Sequence, residues 1–386
     1  MKEDMAEETL EQAADRAAAA GQFTAARSLL EQAVESNDAG FELWIKLSAM
    51  RKASGDLNGA LTAIDRALAL SPLDFSALLS RAVILDGLGD PNAGEEYGNA
   101  IAQLSPDDVV PPHMMPAVEH ARRCRDAYRR TLEERLIAAL PAHLDPTERA
   151  RAERLISNRS RRTRHFHQEP SEFHYPGLPE IEFHPPEQFP RLTALEQATP
   201  EIRAEFDALI AAEAAEMVPY IQYPDRVPMR QWKELNHNPN WTAIHLLQNG
   251  RRIDANARHC PRTLEAIAHM GQPDVRGASP NAMFSLLAPR TRIPPHTGVA
   301  NTRLVCHLPL IVPDGCGFRC GAITREWRIG EAFVFDDTIE HEAWNDSGEL
   351  RVVLIIDLWP PALGERDRDV VAAVIGASGA TFAGNA

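Results

Sequence analysis

Three phrases of this 386-residue chain stand in one register: "GQFTAARSLLEQAVE" from Gly21, "GDLNGALTAIDRALALSP" from Gly55 and "GDPNAGEEYGNAIAQLSP" from Gly89. The glycines are 34 residues apart both times, as are Pro72 and Pro106. The series Ala26, Ala60, Gly94 and the series Ala33, Ala67, Ile101 keep the same spacing. A fixed period constrains a fold tightly, because each period must be one supersecondary unit. Here glycine ends a first helix in a turn, proline stops a second, and small residues let the two approach closely. Each helical pair can bury its apolar face only against its neighbours. The first hundred or so residues therefore predict a stack of helix pairs.

A 34-residue period with these markers is the tetratricopeptide pattern. The first copy lacks its proline ("VESNDAG"), and about three copies is near the minimum for a stable stack. The stretch 1–110 is thus expected to be an all-α domain of tetratricopeptide-like repeats. Its two readings are a concave surface that binds a peptide or protein partner, and a spacer or oligomerisation platform.

From 111 to 172 the expectation is a helical, Arg-rich connector. Asp145 should cap a helix that starts at Pro146. Residues 117–167 carry 13 arginines against 7 acids, whereas residues 1–110 carry 19 acids against 8 bases. The arginines read as a solvated helix face with intrahelical ion pairs, rather than as an anion site. His165, His167 and His174 read as surface residues. The whole chain has a net charge of −15, which argues against nucleic acid as its main partner. No run of about 18 apolar residues occurs, so no membrane span is expected. The opening "MKEDMAEETLEQAADR" has no apolar core of a signal peptide. Five cysteines form no CxxC pair. Together these make the cytoplasm the expected compartment.

The texture changes in the last half. A helical stretch at 190–214 precedes short runs rich in Val, Ile, Leu and Phe, separated by Gly, Pro, Asp and Asn. They are "NAMFSLLAP", "TRLVCHLPLIVP", "GFRCGAI", "EAFVFDD", "HEAWN" and "RVVLIIDLWPP". Such spacing predicts a jelly roll of the cupin kind, with flanking helices. The tail "GASGATFAGNA" reads as flexible.

His296 in "IPPHTG" and His341 in "FDDTIEHEAWN" are 45 residues apart, with about three strands expected between them. A jelly roll can bring two such histidines together at one open end. Ten residues beyond His341, Arg351 opens the last strong strand, where a guanidinium can grip a carboxylate bidentately. Non-haem iron oxygenases usually hold Fe(II) with two histidines and one carboxylate. Two residues after His296, where that carboxylate often falls, the chain has Gly298.

The phrases "FSLLAPRTRIPPHTGVANTRLVCHLPL", "GEAFVFDDTIEHEAWN" and "RVVLIIDLWPP" resemble the aspartyl/asparaginyl β-hydroxylase family. With "YPGLP" and "CPRTLEAI" upstream, the resemblance spans roughly 174–361. It implies a double-stranded β-helix that uses Fe(II), 2-oxoglutarate and O2. A two-histidine iron site with glycine in place of the acid is the family's own pattern, so His296 and His341 are implied as the metal ligands. They form the implied catalytic set with Arg351. Ser285 is implied to work with Arg351 on the distal carboxylate of 2-oxoglutarate. His307 is implied near the iron-proximal carboxylate, and Arg303 in orientation or fold support. Val305 departs from the family, whose animal enzymes have a second arginine there; Arg319 is a candidate replacement. Asp336 and Asp337 are candidates for a further ligand. Trp327 and Trp344 read as core rather than pocket.

The expected architecture is therefore repeats over 1–110, the connector over 111–172, an oxygenase domain over 173–363 and a flexible tail over 364–386. The expected activity is β-hydroxylation of Asp or Asn residues in a peptide or protein, with succinate and CO2 as coproducts. The alternatives are the same chemistry on a free amino acid, small peptide or lipid acyl chain, and a catalytically silent scaffold.

Overall fold

The computed structural model describes residues 9–35, 39–105, 110–112, 114–224 and 232–378. It divides into two compact units, Met1–Thr163 and Arg164–Ala386. The first is helical: α1 (Leu10–Ala19), α2 (Phe23–Ala33), α3 (Phe41–Ala53), α4 (Leu57–Leu70), α5 (Phe75–Gly87), α6 (Ala93–Ile101), α7 (Met115–Ala138) and α8 (Pro146–Arg159). The repeated glycines follow α1, α3 and α5 at φ 74°, 84° and 72°. In all three copies the next amide closes the turn on the helix, from Gln22 to the Ala17 carbonyl, Asp56 to Arg51 and Asp90 to Leu85, each at 2.9 Å. This is a Schellman turn, whose left-handed residue favours glycine.

The small residues also do what the period requires. Ala26 and Ala60 are fully buried. At Gly94 a Cβ would collide with Tyr128 of α7, so glycine there sets how closely α6 and α7 approach. Pro72 follows the end of α4, while Pro106 lies outside the described residues. Asp145 caps α8 through the Glu148 amide, with Pro146 in the first turn, as expected.

The second unit runs β1 (Phe183–His184), α9 (Leu192–Gln197), α10 (Thr199–Ala211), β2 (Val218–Pro219), β3 (Trp241–Gln248), β4 (Arg251–Arg252), α11 (Asp254–Ala257) and α12 (Pro261–Ala268). It continues with β5 (Ala282–Leu287), β6 (Thr291–His296), β7 (Leu304–Ile311), β8 (Cys316–Cys320), β9 (Ile323–Arg325), β10 (Phe333–Phe335), β11 (His341–Asn345), β12 (Arg351–Leu358) and α13 (Glu365–Ser378). The strands form two antiparallel sheets, ordered β1-β10-β7-β12-β5-β3-β2, with β4 on β3, and β6-β11-β8-β9. This is the expected jelly-roll-like sandwich.

The larger sheet is covered on both faces. Even-numbered residues of its central strands (Phe284, Leu308, Leu354, Ile356) pack with Ile202 and Phe206 of α10. Odd-numbered Leu287, Val305 and Val353 pack with Phe318 of the smaller sheet. Burial on both faces explains why β5, β7 and β12 read as continuous apolar runs rather than alternating ones. It also makes every polar residue on the odd face conspicuous.

Three expectations need correction. The connector is not one segment: α7 and α8 belong to the first unit, and 164–172 belong to the second. There Glu169 donates its amide to the Thr338 carbonyl and Ser171 to that of Gly298. The tail is helical over Glu365–Ser378, because Val371 and Ile375 bury against Val275, Ala278 and Leu363. Of the strands not foreseen, two are long, β3 and β6. β3 lacks period-2 alternation because it is nearly buried throughout, and β6 carries Pro294 and Pro295, tolerated because it is an edge strand.

Candidate active site

Register brings the two histidines together. His296 ends β6, His341 begins β11, and they face each other as antiparallel partners. Four strands, β7 to β10, intervene in the chain. The ring centroids are 4.0 Å apart. Each ring is pinned by its own backbone: the Nδ1 of His296 lies 2.8 Å from the Pro294 carbonyl, and that of His341 lies 3.1 Å from the Ile339 carbonyl. A carbonyl only accepts, so each Nδ1 carries the proton and each Nε2 keeps its lone pair. That is the tautomer a metal-binding imidazole needs, fixed by an outer hydrogen bond. Burial holds His296 down to about 4, and it pushes His341 well below the ordinary imidazole range, helped by His296 beside it. Both rings are neutral and ready to ligate at neutral pH.

Gly298 has a steric reason. Its amide donates to the Asp337 carbonyl at 2.6 Å, and a Cβ there would overlap the Asp337 carboxylate. An acid at 298 has no room, because another acid stands in its place. Asp337 is buried, and its Oδ2 pairs with Arg303 Nη2 at 3.0 Å while Oδ1 has no partner. Burial pushes its carboxyl up to about 6 despite the guanidinium. Asp336 turns elsewhere, accepting from Thr338 and from Gln168.

The histidines open onto a cleft of about 680 Å³ of empty space, part of it open to solvent, which Ser285, His307, Arg303, Val305, Asp337 and Arg351 also line. Arg351 is 2% exposed, and no carboxylate pairs with it among the described residues. Its Nε has no hydrogen-bond partner, and its guanidinium lies 4.8 Å over the Trp327 ring. Burial lowers it to about 10, so it stays charged at neutral pH. A buried unpaired charge is costly, and it persists where a ligand of opposite charge completes it. Ser285 Oγ accepts from Trp241 Nε1 at 3.1 Å, which frees its hydroxyl hydrogen to donate. Trp327 Nε1 donates to His307 Nδ1 at 3.4 Å, so the His307 proton sits on Nε2. His307 is kept neutral by burial and by the charge of Arg351. The cavity thus offers two imidazole lone pairs, one unpaired guanidinium and two neutral donors. This set fits a divalent metal together with a carboxylate-bearing small molecule.

The six residues singled out in the sequence all line this one cavity. Arg319 does not join them: it bonds Glu340, Glu342 and the Gly321 carbonyl, so it does not replace the arginine absent at Val305. Trp327 is a pocket wall as well as core, whereas Trp344 packs against Gly317 under Arg292. Sequence reading missed Tyr220, stacked on Trp241 at 3.9 Å, and Asp357. Asp357 had a signal, as an acid inside an apolar strand must find partners. It accepts from Ser279, Gln272 and Asn281.

Residues 196–361 match the family model of aspartyl/asparaginyl β-hydroxylase, and residues 51–109 that of the tetratricopeptide repeat. The human aspartyl/asparaginyl β-hydroxylase is 33% identical over 144 residues, covering 37% of this chain and 19% of that one. Aspartate β-hydroxylase domain-containing protein 2 of Xenopus tropicalis is 30% identical over 210 residues, covering 53% and 54%. The ornithine lipid ester-linked acyl 2-hydroxylase of Rhizobium tropici is 32% identical over 176 residues, covering 45% and 58%. The chain thus spans from a fifth to somewhat over half the length of these curated relatives.

Proposed function

From a second unit that carries an aspartyl/asparaginyl β-hydroxylase domain, we propose that this chain is an Fe(II)- and 2-oxoglutarate-dependent hydroxylase. The observation that carries the reading is the buried, unpaired guanidinium of Arg351 in the same cavity as the His296–His341 pair. His296 and His341 hold the iron through Nε2. Arg351 and the Ser285 hydroxyl hold the distal carboxylate of 2-oxoglutarate, and His307 Nε2–H donates to the carboxylate at the metal end. When bound, iron with 2-oxoglutarate and O2 supplies the oxidising power that replaces a substrate C–H with C–OH, leaving succinate and CO2. The chain itself binds, orients and excludes water. Trp327, Phe318 and Phe335 wall the cavity, and the Arg303–Asp337 pair keeps a carboxylate beside Gly298.

The substrate reading is an Asp or Asn residue of a peptide or protein, with the repeats holding that partner and the chain working in the cytoplasm. A lipid acyl chain is the second reading, favoured by the likeness to the acyl 2-hydroxylase and by the apolar cavity wall of Ile293, Val305 and Ala343.

The test is the visible spectrum of the metal-free protein after anaerobic addition of Fe(II) and 2-oxoglutarate. A metal-to-ligand charge-transfer band is expected, and it should vanish in His296→Ala and in His341→Ala. No band in folded protein at saturating reagents would sink the reading in favour of a silent scaffold. Arg351→Ala should abolish 2-oxoglutarate turnover, and unaffected turnover would exclude Arg351 as the anchor of the distal carboxylate.

A further inference from the structure

The first unit holds a cluster that the hydroxylase reading does not use. Asp86 lies in the last turn of α5, and His120 and Cys124 lie one turn apart on the same face of α7. The Cys124 Sγ is 3.4 Å from His120 Nε2, and Asp86 Oδ2 is 3.8 Å from the same nitrogen. All three ligand atoms lie within 4.8 Å of one another. Tyr97 of α6, which is 1% exposed, donates to Asp86 Oδ2 at 3.1 Å and fixes the carboxylate.

The convergence decides between two uses of a Cys, a His and an Asp. A nucleophilic triad needs the thiol and the acid on opposite ring nitrogens, so that one orients the base for the other. Here both meet Nε2, which rules out that relay. Donors that point at one spot are what a metal needs. Tetrahedral zinc bonds of about 2.0 to 2.3 Å place neighbouring ligand atoms about 3.3 to 3.6 Å apart. The thiol–imidazole edge already has that length, and the imidazole–carboxylate edge is only slightly longer. The carboxylate and the imidazole are half exposed, at 51% and 48%, which leaves an entry path and room for a water as fourth ligand.

We propose that Asp86, His120 and Cys124 form a binding site for a thiophilic divalent metal of the zinc class, separate from the oxygenase site. The soft sulfur with one nitrogen and one hard oxygen selects zinc or cobalt over calcium or magnesium. The metal ties α5 to α7 across α6, and so clips the third helix pair to the helix that covers it. A stack of about three repeats is near the minimum for stability, and such a clip strengthens its last joint.

The test is a titration of reduced, metal-stripped full-length protein with Co(II), read in the near ultraviolet. A thiolate-to-cobalt charge-transfer band should grow to one equivalent and bleach on adding Zn(II). It should vanish in Cys124→Ser and persist in His296→Ala, which keeps it apart from the oxygenase site. In the His296→Ala background, which disables the oxygenase site, Zn(II) should also raise the melting temperature, and adding His120→Asn should abolish that rise. No band in folded wild type, or a band that survives Cys124→Ser, would overturn the proposal.

Discussion

Arg351 shows how one residue can be unfavourable for the fold and necessary for the site. Its guanidinium is buried, lacks a carboxylate partner among the described residues and has an orphaned Nε. Replacing an unpaired buried charge by an apolar group of similar length is often stabilising. Arg351→Met is therefore expected to melt at the same temperature as the ligand-free wild type or higher. Its 2-oxoglutarate affinity should fall by about 2–5 kcal/mol, the cost of losing a desolvated charge partner. Melting curves and cosubstrate titration check the two halves, and a large loss of stability would refute the split. His245 tests burial in the opposite sense. It sits in β3, its Nδ1 has no partner, and burial lowers it to about 4. A lowered imidazole is neutral when folded and takes up a proton on unfolding. Its contribution is full above pH 6.5 and is lost as pH falls through about 4. Across that window His245→Phe should gain on the wild type by up to about 3 kcal/mol, visible as a widening gap in melting temperature. A gap that stays constant with pH would mean His245 does not titrate there.

At the scale of elements, the site is set by strand register and parity. β5, β7 and β12 turn even-numbered residues to the helices and odd-numbered ones to the cavity, which is why Ser285, His307, Arg351 and Asp357 meet. One residue of slip would bury all four against α9, α10 and α12. β6 adds His296 from an edge, where Pro294 and Pro295 need not donate to a further strand. α13 closes the unit through Val371 and Ile375. Val371→Asp is expected to destabilise the protein by about 2–4 kcal/mol, since it buries a polar group without a partner. Denaturant unfolding measures this, and a neutral outcome would restore the view of the tail as a loose appendage.

For the whole molecule, the proposed function has a metal held by two histidines without a third protein carboxylate, which would make metal and cosubstrate depend on each other. Linkage requires each to tighten the other by the same factor. Mn(II) and 2-oxoglutarate together should raise the melting temperature by more than the sum of their separate shifts, and a merely additive shift would argue against a shared site. The order in which the chain could be read follows from the range of the forces. The repeats were legible because helix ends, turns and small contacts are local: Gly21, Gly55 and Gly89 mark the same turn without reference to anything distant. The apolar strands and the residues His296, His341 and Arg351 were legible as types and spacings, helped by a family pattern. What the sequence could not decide rests on contacts between residues far apart in the chain. It includes the helical tail, the split of the connector, the strand β6, the commitment of Arg319 to Glu340 and Glu342, and the carboxylate of Asp337 filling the space beside Gly298. Local propensity determined the elements. Only packing decided which faces were covered, which charges found partners, and that the buried Arg351 has no carboxylate partner among the described residues.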